Sequence, residues 1–230
     1  MLHRVHVGFA CNNRCRFCAQ GELRHRPLAA VVEADLAEIQ PGISVAFLGG
    51  EPTVSAELPG WIHAAREKGA SFVLLQTNGR RIADPSYLRT LLDAGVSALD
   101  VSLHGSTAAM HDFHTEIDGS FAQTCEGLAA AAAERLPTGV TTVVTRSNFR
   151  HLVEIVELCR ELGVRAVHFT LARAVGRAEN SALIPIPELV RPHLHEAVAK
   201  ARSLGVECAA GRTLTTPELR RWFGGLGVTA

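Results

Sequence analysis

The 230-residue chain carries 23 basic and 23 acidic side chains, with 47% apolar and 20% charged residues. That composition belongs to an ordinary globular protein rather than a disordered one, and zero net charge argues against a general grip on nucleic acid or anionic membrane. No run of eighteen apolar residues occurs, and Met1 to Gly8 lacks a basic-then-apolar leader, so the expectation is a cytoplasmic protein without a membrane span.

Short β-branched runs alternate with longer helical patterns along the chain. In order they read as strand 4–9, helix 28–39, strand 44–48, helix 56–68, strand 71–76, helix 85–93 and strand 98–103. Helix 121–135, strand 140–145, helix 149–162, strand 166–171 and helix 187–203 follow, with a short strand at 205–209. The helical stretches repeat apolar residues every three or four positions, as in Leu152, Ile155, Val156, Cys159 and Leu162. Gly69, Gly95, Gly163 and Gly205 suit left-handed helix ends, while Asp84-Pro85 and Asn148 suit helix starts. The 175–186 stretch reads as a loop. Residues 211–230 read as a short tail with a helix at 217–223.

Strand starts recur about every thirty residues, the length of one βα unit, which implies a parallel sheet with right-handed crossovers. A complete eight-unit barrel takes about 250 residues. Six clear units therefore point to an α/β fold, a partial (β/α)6 TIM-like barrel, in a single domain at 1–210.

Of six cysteines, Cys11, Cys15 and Cys18 fall within eight residues, directly after the first strand. In a parallel α/β sheet that is the carboxyl end of the strands, where ligands collect. Three thiolates on one loop can hold three corners of a metal or cluster site and leave one position open. Arg14 and Arg16 stand in the same loop and would offset thiolate charge. The alternatives are a structural zinc site completed by His25 or His104, or three unrelated buried thiols. Cys125, Cys159 and Cys208 read as small buried hydrophobes.

The three-cysteine pattern, with Phe17 before the last cysteine, resembles the signature of the radical S-adenosylmethionine (SAM) superfamily. Further motifs follow at the ends of later strands. Gly49-Gly50-Glu51-Pro52-Thr53 looks like the family's GGEP motif, and Gln76-Thr77-Asn78-Gly79 takes its TNG form. Ser102-Leu103-His104-Gly105 ends strand four and Val144-Thr145-Arg146-Ser147-Asn148 ends strand five. Gly176-Arg177-Ala178 resembles a loop that borders the adenine in relatives. Together they cover about three quarters of the chain.

The resemblance implies a 4Fe–4S cluster on Cys11, Cys15 and Cys18, with S-adenosyl-L-methionine chelating the fourth iron. Reductive cleavage of SAM would give a 5′-deoxyadenosyl radical that abstracts hydrogen from the substrate. Gly49, Gly50, Glu51, Pro52, Thr77, Asn78, Ser102 and Arg146 are the expected cofactor-binding residues. In this reading Glu51 adds charge or anchors its loop, Ser102 meets a ribose hydroxyl, and Arg146 pairs with the SAM carboxylate. Phe17 packs near the adenine or in the core. Asn148 reads as a helix cap, and His104, His111 and His114 as solvated surface residues.

Only Cys208 lies within 180–230, so no cysteine-rich extension for auxiliary clusters is expected. The favoured substrate is a peptide or protein side chain, with a small metabolite as the alternative. Expected partners are a one-electron reductant such as flavodoxin or ferredoxin, and a partner protein completing the open barrel mouth. Two further alternatives are a catalytically silent iron–sulfur protein and a zinc-binding interaction protein.

Overall fold

The computed structural model describes residues 2–25 and 29–210. Its strands are β1 (Leu2–His6), β2 (Ser44–Leu48), β3 (Phe72–Thr77), β4 (Ala98–Ser102), β5 (Thr138–Val144), β6 (Ala166–Leu171) and β7 (Glu207–Ala210). The helices are α1 (Ala29–Ala37), α2 (Leu58–Glu67), α3 (Pro85–Ala94), α4 (Ala108–Thr115), α5 (Ser120–Ala133), α6 (Leu152–Glu161) and α7 (Pro187–Ser203). Every strand pairs in parallel with the next, in the order β1 to β7, and β1 and β7 remain the two edges of an open sheet. This is the expected partial-barrel architecture with a seventh strand. The expected tail at 211–230, its helix at 217–223 and the helix start at residue 28 lie outside the described residues.

Alternation along the strands divides the sheet into two faces. Val45, Phe47, Val73, Leu75, Leu99, Val101, Val140, Val167 and Phe169 point outward and bury against the helices, for example against Leu58, Ile62, Leu88, Leu91 and Ile155. Ala46, Leu74, Ala98 and Ala166 point inward and form a small second cluster. Leu2, Leu48, Phe72 and Ala209 pack against it, and this apolar layer forms the floor of the lumen.

Local chemistry sets the element boundaries. Asp84 Oδ1 accepts from Ser86 N–H at 2.9 Å at the start of α3, and Gly95 ends that helix at φ 106°. Gly69, Gly163 and Gly205 also adopt positive φ. Asn148 does not cap a helix with its side chain. Its Oδ1 accepts from Thr145 N–H at 2.7 Å, while Nδ2 donates to the His104 and Val143 carbonyls at 3.1 and 3.0 Å. It therefore stitches the end of β5 to the segment after β4.

Helix α4 was not expected, because the face it buries is His111, His114 and Thr115 rather than aliphatic. Thr107 caps its start. From α4, Asp112 accepts from Gly119 N–H, Ser120 Oγ and Phe121 N–H at 2.7–2.8 Å, satisfying the amino end of α5 from outside that helix.

Candidate functional site

The loop after β1 carries Cys11, Cys15 and Cys18 and is fastened from four directions. After β2, Glu51 N–H donates to the Ala10 carbonyl at 2.8 Å. After β3, Asn78 Nδ2 donates to Asn12 Oδ1 at 2.6 Å, and Arg80 donates to the Asn12 carbonyl and Asn13 Oδ1 at 2.6 and 2.8 Å. At the end of α4, the carbonyls of Thr115 and His114 accept from Arg14 and Arg16 N–H, each at 2.9 Å. After β6, Arg177 N–H donates to the Cys18 carbonyl at 3.0 Å. Its guanidinium reaches the Arg14 and Cys15 carbonyls and pairs with Glu22 and Glu116 at 2.8 and 2.9 Å. A polar loop without secondary structure is thus given a fixed shape by partners distant in sequence.

Gly49 and Gly50 sit where side chains would collide with this loop or with β1. A Cβ at Gly49 (φ 100°) would lie 2.4 Å from the His6 ring, and one at Gly50 (φ 51°) would lie 2.2 Å from the Ala10 carbonyl oxygen. Their small size is needed within the protein as well as beside any ligand. Gly176 (φ 59°) likewise has the Cys18 carbonyl oxygen 2.3 Å from a Cβ position.

Glu51 anchors its loop. It is 2% exposed. Its Oε1 accepts from Thr53 N–H, Thr53 Oγ1 and Thr77 Oγ1 at 3.1, 2.7 and 2.6 Å, and its Oε2 accepts from Asn78 N–H at 2.5 Å. Burial raises its carboxyl above the usual range, while the hydrogen bonds from Thr77, Asn78 and Thr53 pull the other way. Through this one side chain the Gly49–Glu51 and Thr77–Asn78 motifs become a single unit. Pro52 opens the short turn of 3-10 helix that follows and is buried.

These segments wall a cavity of about 330 Å³. Cys11, Cys15, Phe17, Cys18, Gly49, Gly50, Glu51, Thr77, Asn78 and Ser102 line it together with His104, Thr141 and Val143, and Gln76 and Asp100 lie deeper along their strands. Every expected site residue except Pro52 and Arg146 lines this space. Arg146 is exposed, and its backbone N–H donates to the Leu183 carbonyl at 2.9 Å.

The three histidines correct an expectation: His104, His111 and His114 are 4%, 1% and 0% exposed. His104 Nδ1 accepts from Val143 N–H at 3.3 Å, and His111 Nδ1 accepts from His104 N–H at 3.1 Å. Each of these rings therefore carries its proton on Nε2, and that of His111 is buried without a partner. His114 Nδ1 donates to the Met110 carbonyl at 2.7 Å, and its Nε2 meets Thr145 Oγ1 and Ser147 Oγ at 2.9 and 2.8 Å. Burial lowers all three pKa values, that of His111 to about 4, so the cluster is neutral near pH 7. Phe17 stands edge-on to His104 with ring centroids 4.7 Å apart, joining the cysteine loop to this cluster.

Arg14 and Arg16 do not turn toward the thiols. Both are exposed, and Arg16 donates to the Phe113 carbonyl at 2.8 Å with its guanidinium 4.3 Å above the Phe113 ring. The basic group whose field acts on Cys11 and Cys15 is Arg24. Burial pushes the Cys11 thiol up to about 11 and the Cys15 thiol up to about 12, with neighbouring thiols adding to the rise. A positively charged group among them reverses that preference, since thiolates are the form that ligates.

Among the described residues, no three His, Cys, Asp or Glu side chains converge as ligands of a single ion. His25 packs against Phe9 at 4.8 Å between ring centroids, and His104 against Phe17. The three thiols line one cavity and could hold three corners of an iron–sulfur cluster. Sequence reading missed Arg80 and the fastening role of Arg177; the adjacency of Arg80 to the Thr77-Asn78-Gly79 motif was the available signal.

The profile of the Radical SAM superfamily matches residues 5–159. An AdoMet-dependent heme synthase of Oleidesulfovibrio alaskensis is 29% identical over 177 residues, covering 74% of this chain and 45% of that protein. A probable GTP 3′,8-cyclase of Saccharolobus islandicus is 29% identical over 179 residues, covering 75% and 57%. The chain thus spans about half the length of these curated relatives. A solved structure of native anSMEcpe with bound AdoMet and Cp18Cys peptide superposes with a TM-score of 0.73 at 19% identity, over 90% of this chain and 63% of that one, a likeness of fold.

Proposed function

This chain belongs to the radical SAM superfamily, and from that premise we propose that it is an enzyme that cleaves S-adenosyl-L-methionine reductively and takes hydrogen from a peptide or protein side chain. The observation that carries the proposal is the meeting of Cys11, Cys15, Cys18, Gly49–Glu51 and Ser102 on one cavity wall. Cys11, Cys15 and Cys18 would hold the 4Fe–4S cluster. Gly49 and Gly50 offer close backbone approach to the SAM amino group, and Ser102 a hydroxyl for the ribose. Thr77 and Asn78 hold that rim in shape through Glu51. When bound, the cluster and SAM supply one-electron chemistry and a hydrogen-abstracting radical. The chain itself would orient them, with Phe17 and His104 lining the same cavity.

A peptide substrate is supported by the open sheet edge between β1 and β7 and by the absence of lysine or arginine among the described residues that line the cavity. A nucleoside triphosphate, as the name of the S. islandicus relative implies for that protein, would call for basic clamps on its phosphates. A small metabolite is the second reading, favoured by the names of the two curated relatives. A flavodoxin- or ferredoxin-type protein would supply the electron, and a partner protein would complete the mouth. Among the described residues no helix is long and apolar enough to cross a membrane.

Anaerobically reconstituted protein with SAM and dithionite tests the proposal through formation of 5′-deoxyadenosine. Product is expected from the native chain and none from a variant with Cys11, Cys15 and Cys18 all replaced by alanine. Equal output from the two would overturn it.

A further inference from the structure

Beneath the rim, β4 carries Asp100 two residues below Ser102 on the same inward face, roughly 7 Å deeper into the lumen. Asp100 Oδ2 accepts from Gln76 Nε2 and Oδ1 from Thr141 Oγ1, each at 2.8 Å. Gln76, Asp100 and Thr141 all line the cavity, above the apolar floor of Ala46, Leu74, Ala98 and Ala166. Asp100 and Thr141 belong to none of the rim motifs.

We propose that Asp100, held by Gln76 and Thr141, is a substrate-anchoring subsite for a cationic nitrogen group, the ammonium or guanidinium of a basic side chain. The inference rests on the function proposed above and specifies the substrate within it.

Three observations carry it. A carboxylate accepts at about four lone-pair sites, and the two donors that hold Asp100 leave room for more. Among the described residues, the charged or ionisable groups lining the cavity are Glu51, Asp100, His104 and three thiols, with no lysine or arginine. Both oxygens of Glu51 are occupied, Oε1 by Thr53 and Thr77 and Oε2 by Asn78 N–H, so Asp100 is the carboxylate left to meet a ligand.

The depth of Asp100 fits the same occupant. A lysine stem entering past Ser102 lays its methylenes along the rim, where hydrogen is to be removed, and brings its charge to Asp100. Burial makes an uncompensated charge at Asp100 costly, and the field of His168 from β6 relieves that only in part. A bound cation relieves it further.

Isothermal titration of the anaerobically reconstituted, SAM-loaded enzyme tests this with three probes: Nα-acetyl-lysine methylamide, and the norleucine and glutamate analogues. The lysine probe is expected to bind about tenfold or more tighter than norleucine, with glutamate weakest. In Asp100→Asn the lysine preference should fall to about threefold or less. Equal affinities in the native enzyme, no saturable binding of the lysine probe, or a preference undiminished in a SAM-binding Asp100→Asn would each overturn it. The native comparison decides charge preference even where the variant fails to fold. SAM binding recorded on the same samples separates the two levels. A native enzyme that binds SAM without preferring lysine refutes the subsite alone, whereas one that neither binds nor cleaves SAM refutes the function and the subsite with it.

Discussion

The two faces of the sheet follow opposite rules. Outward, the strands present Val45, Phe47, Val73, Leu75, Leu99 and Val101 to the helices, a dry aliphatic interface that accounts for most of the burial. Inward, the same strands present Ala46, Leu74 and Ala98 and then, one layer up, Gln76 and Asp100, hydrogen-bonded to each other and to Thr141 of β5 in place of packing. One residue of register separates stability from chemistry. The outer face needs volume and tolerates exchange of similar shapes, whereas the inner face and rim need particular atoms at particular places.

Substitution on the outer face should therefore lower stability without specific effect on the site. Phe47 is fully buried, and Phe47→Ala should cost about 4 kcal/mol in urea unfolding. The SAM dissociation constant of the fraction that folds should stay within about twofold; a selective loss of affinity would break the division between faces.

At the rim one side chain serves both ends. Glu51→Ala should cost about 3 kcal/mol, because Thr53 N–H and Asn78 N–H lose a buried acceptor, and it should weaken SAM binding as well. Unfolding and SAM titration of the same sample check this. Loss of stability with unaltered SAM affinity would reduce Glu51 to a loop anchor.

The histidine cluster gives a pH-dependent form of the contrast. The pKa of His111 is lowered to about 4 by burial, against about 6.5 in an unfolded chain. The unfolded state thus binds the extra proton first. Stability from this residue is complete above pH 6.5 and is lost as pH falls toward 4, by about 2 kcal/mol between pH 7.5 and 5. Urea unfolding of His111→Gln should show a correspondingly shallower loss over that interval than the native protein. Identical slopes would contradict the burial of an unpartnered Nε2–H.

The smallest effect is expected at Arg146. Exposed and outside the cavity wall, it should be replaceable by alanine with less than about 0.5 kcal/mol change in stability and SAM affinity within about twofold. A tenfold loss of affinity would draw the β5 end into the site.

What sequence reveals follows the same division. The outer face is written in period-two and period-3.6 aliphatic patterns, which is why β2, β6 and α7 begin and end where those patterns do. The rim motifs are local in sequence, so Cys11, Cys15, Cys18 and Gly49–Glu51 could be found without a structure. Contacts that join distant segments could not. Helix α4 buries histidines where an apolar period is sought, Asn148 bonds across two strands instead of capping, and Arg16 turns onto Phe113. Adjacency to a motif marks Arg80 but does not reveal that it and Arg177 both hold the cysteine loop. Asp100 escaped notice because an inward-facing acid on a strand looks like one more polar residue until its neighbours are known.

The most direct test of the rim as a cluster site is a metal count. After anaerobic reconstitution with iron and sulfide, the native protein should hold about four of each per chain, and the Cys11, Cys15, Cys18 triple-alanine variant close to none. A native protein that instead retains one tightly held zinc and excludes iron would contradict the account.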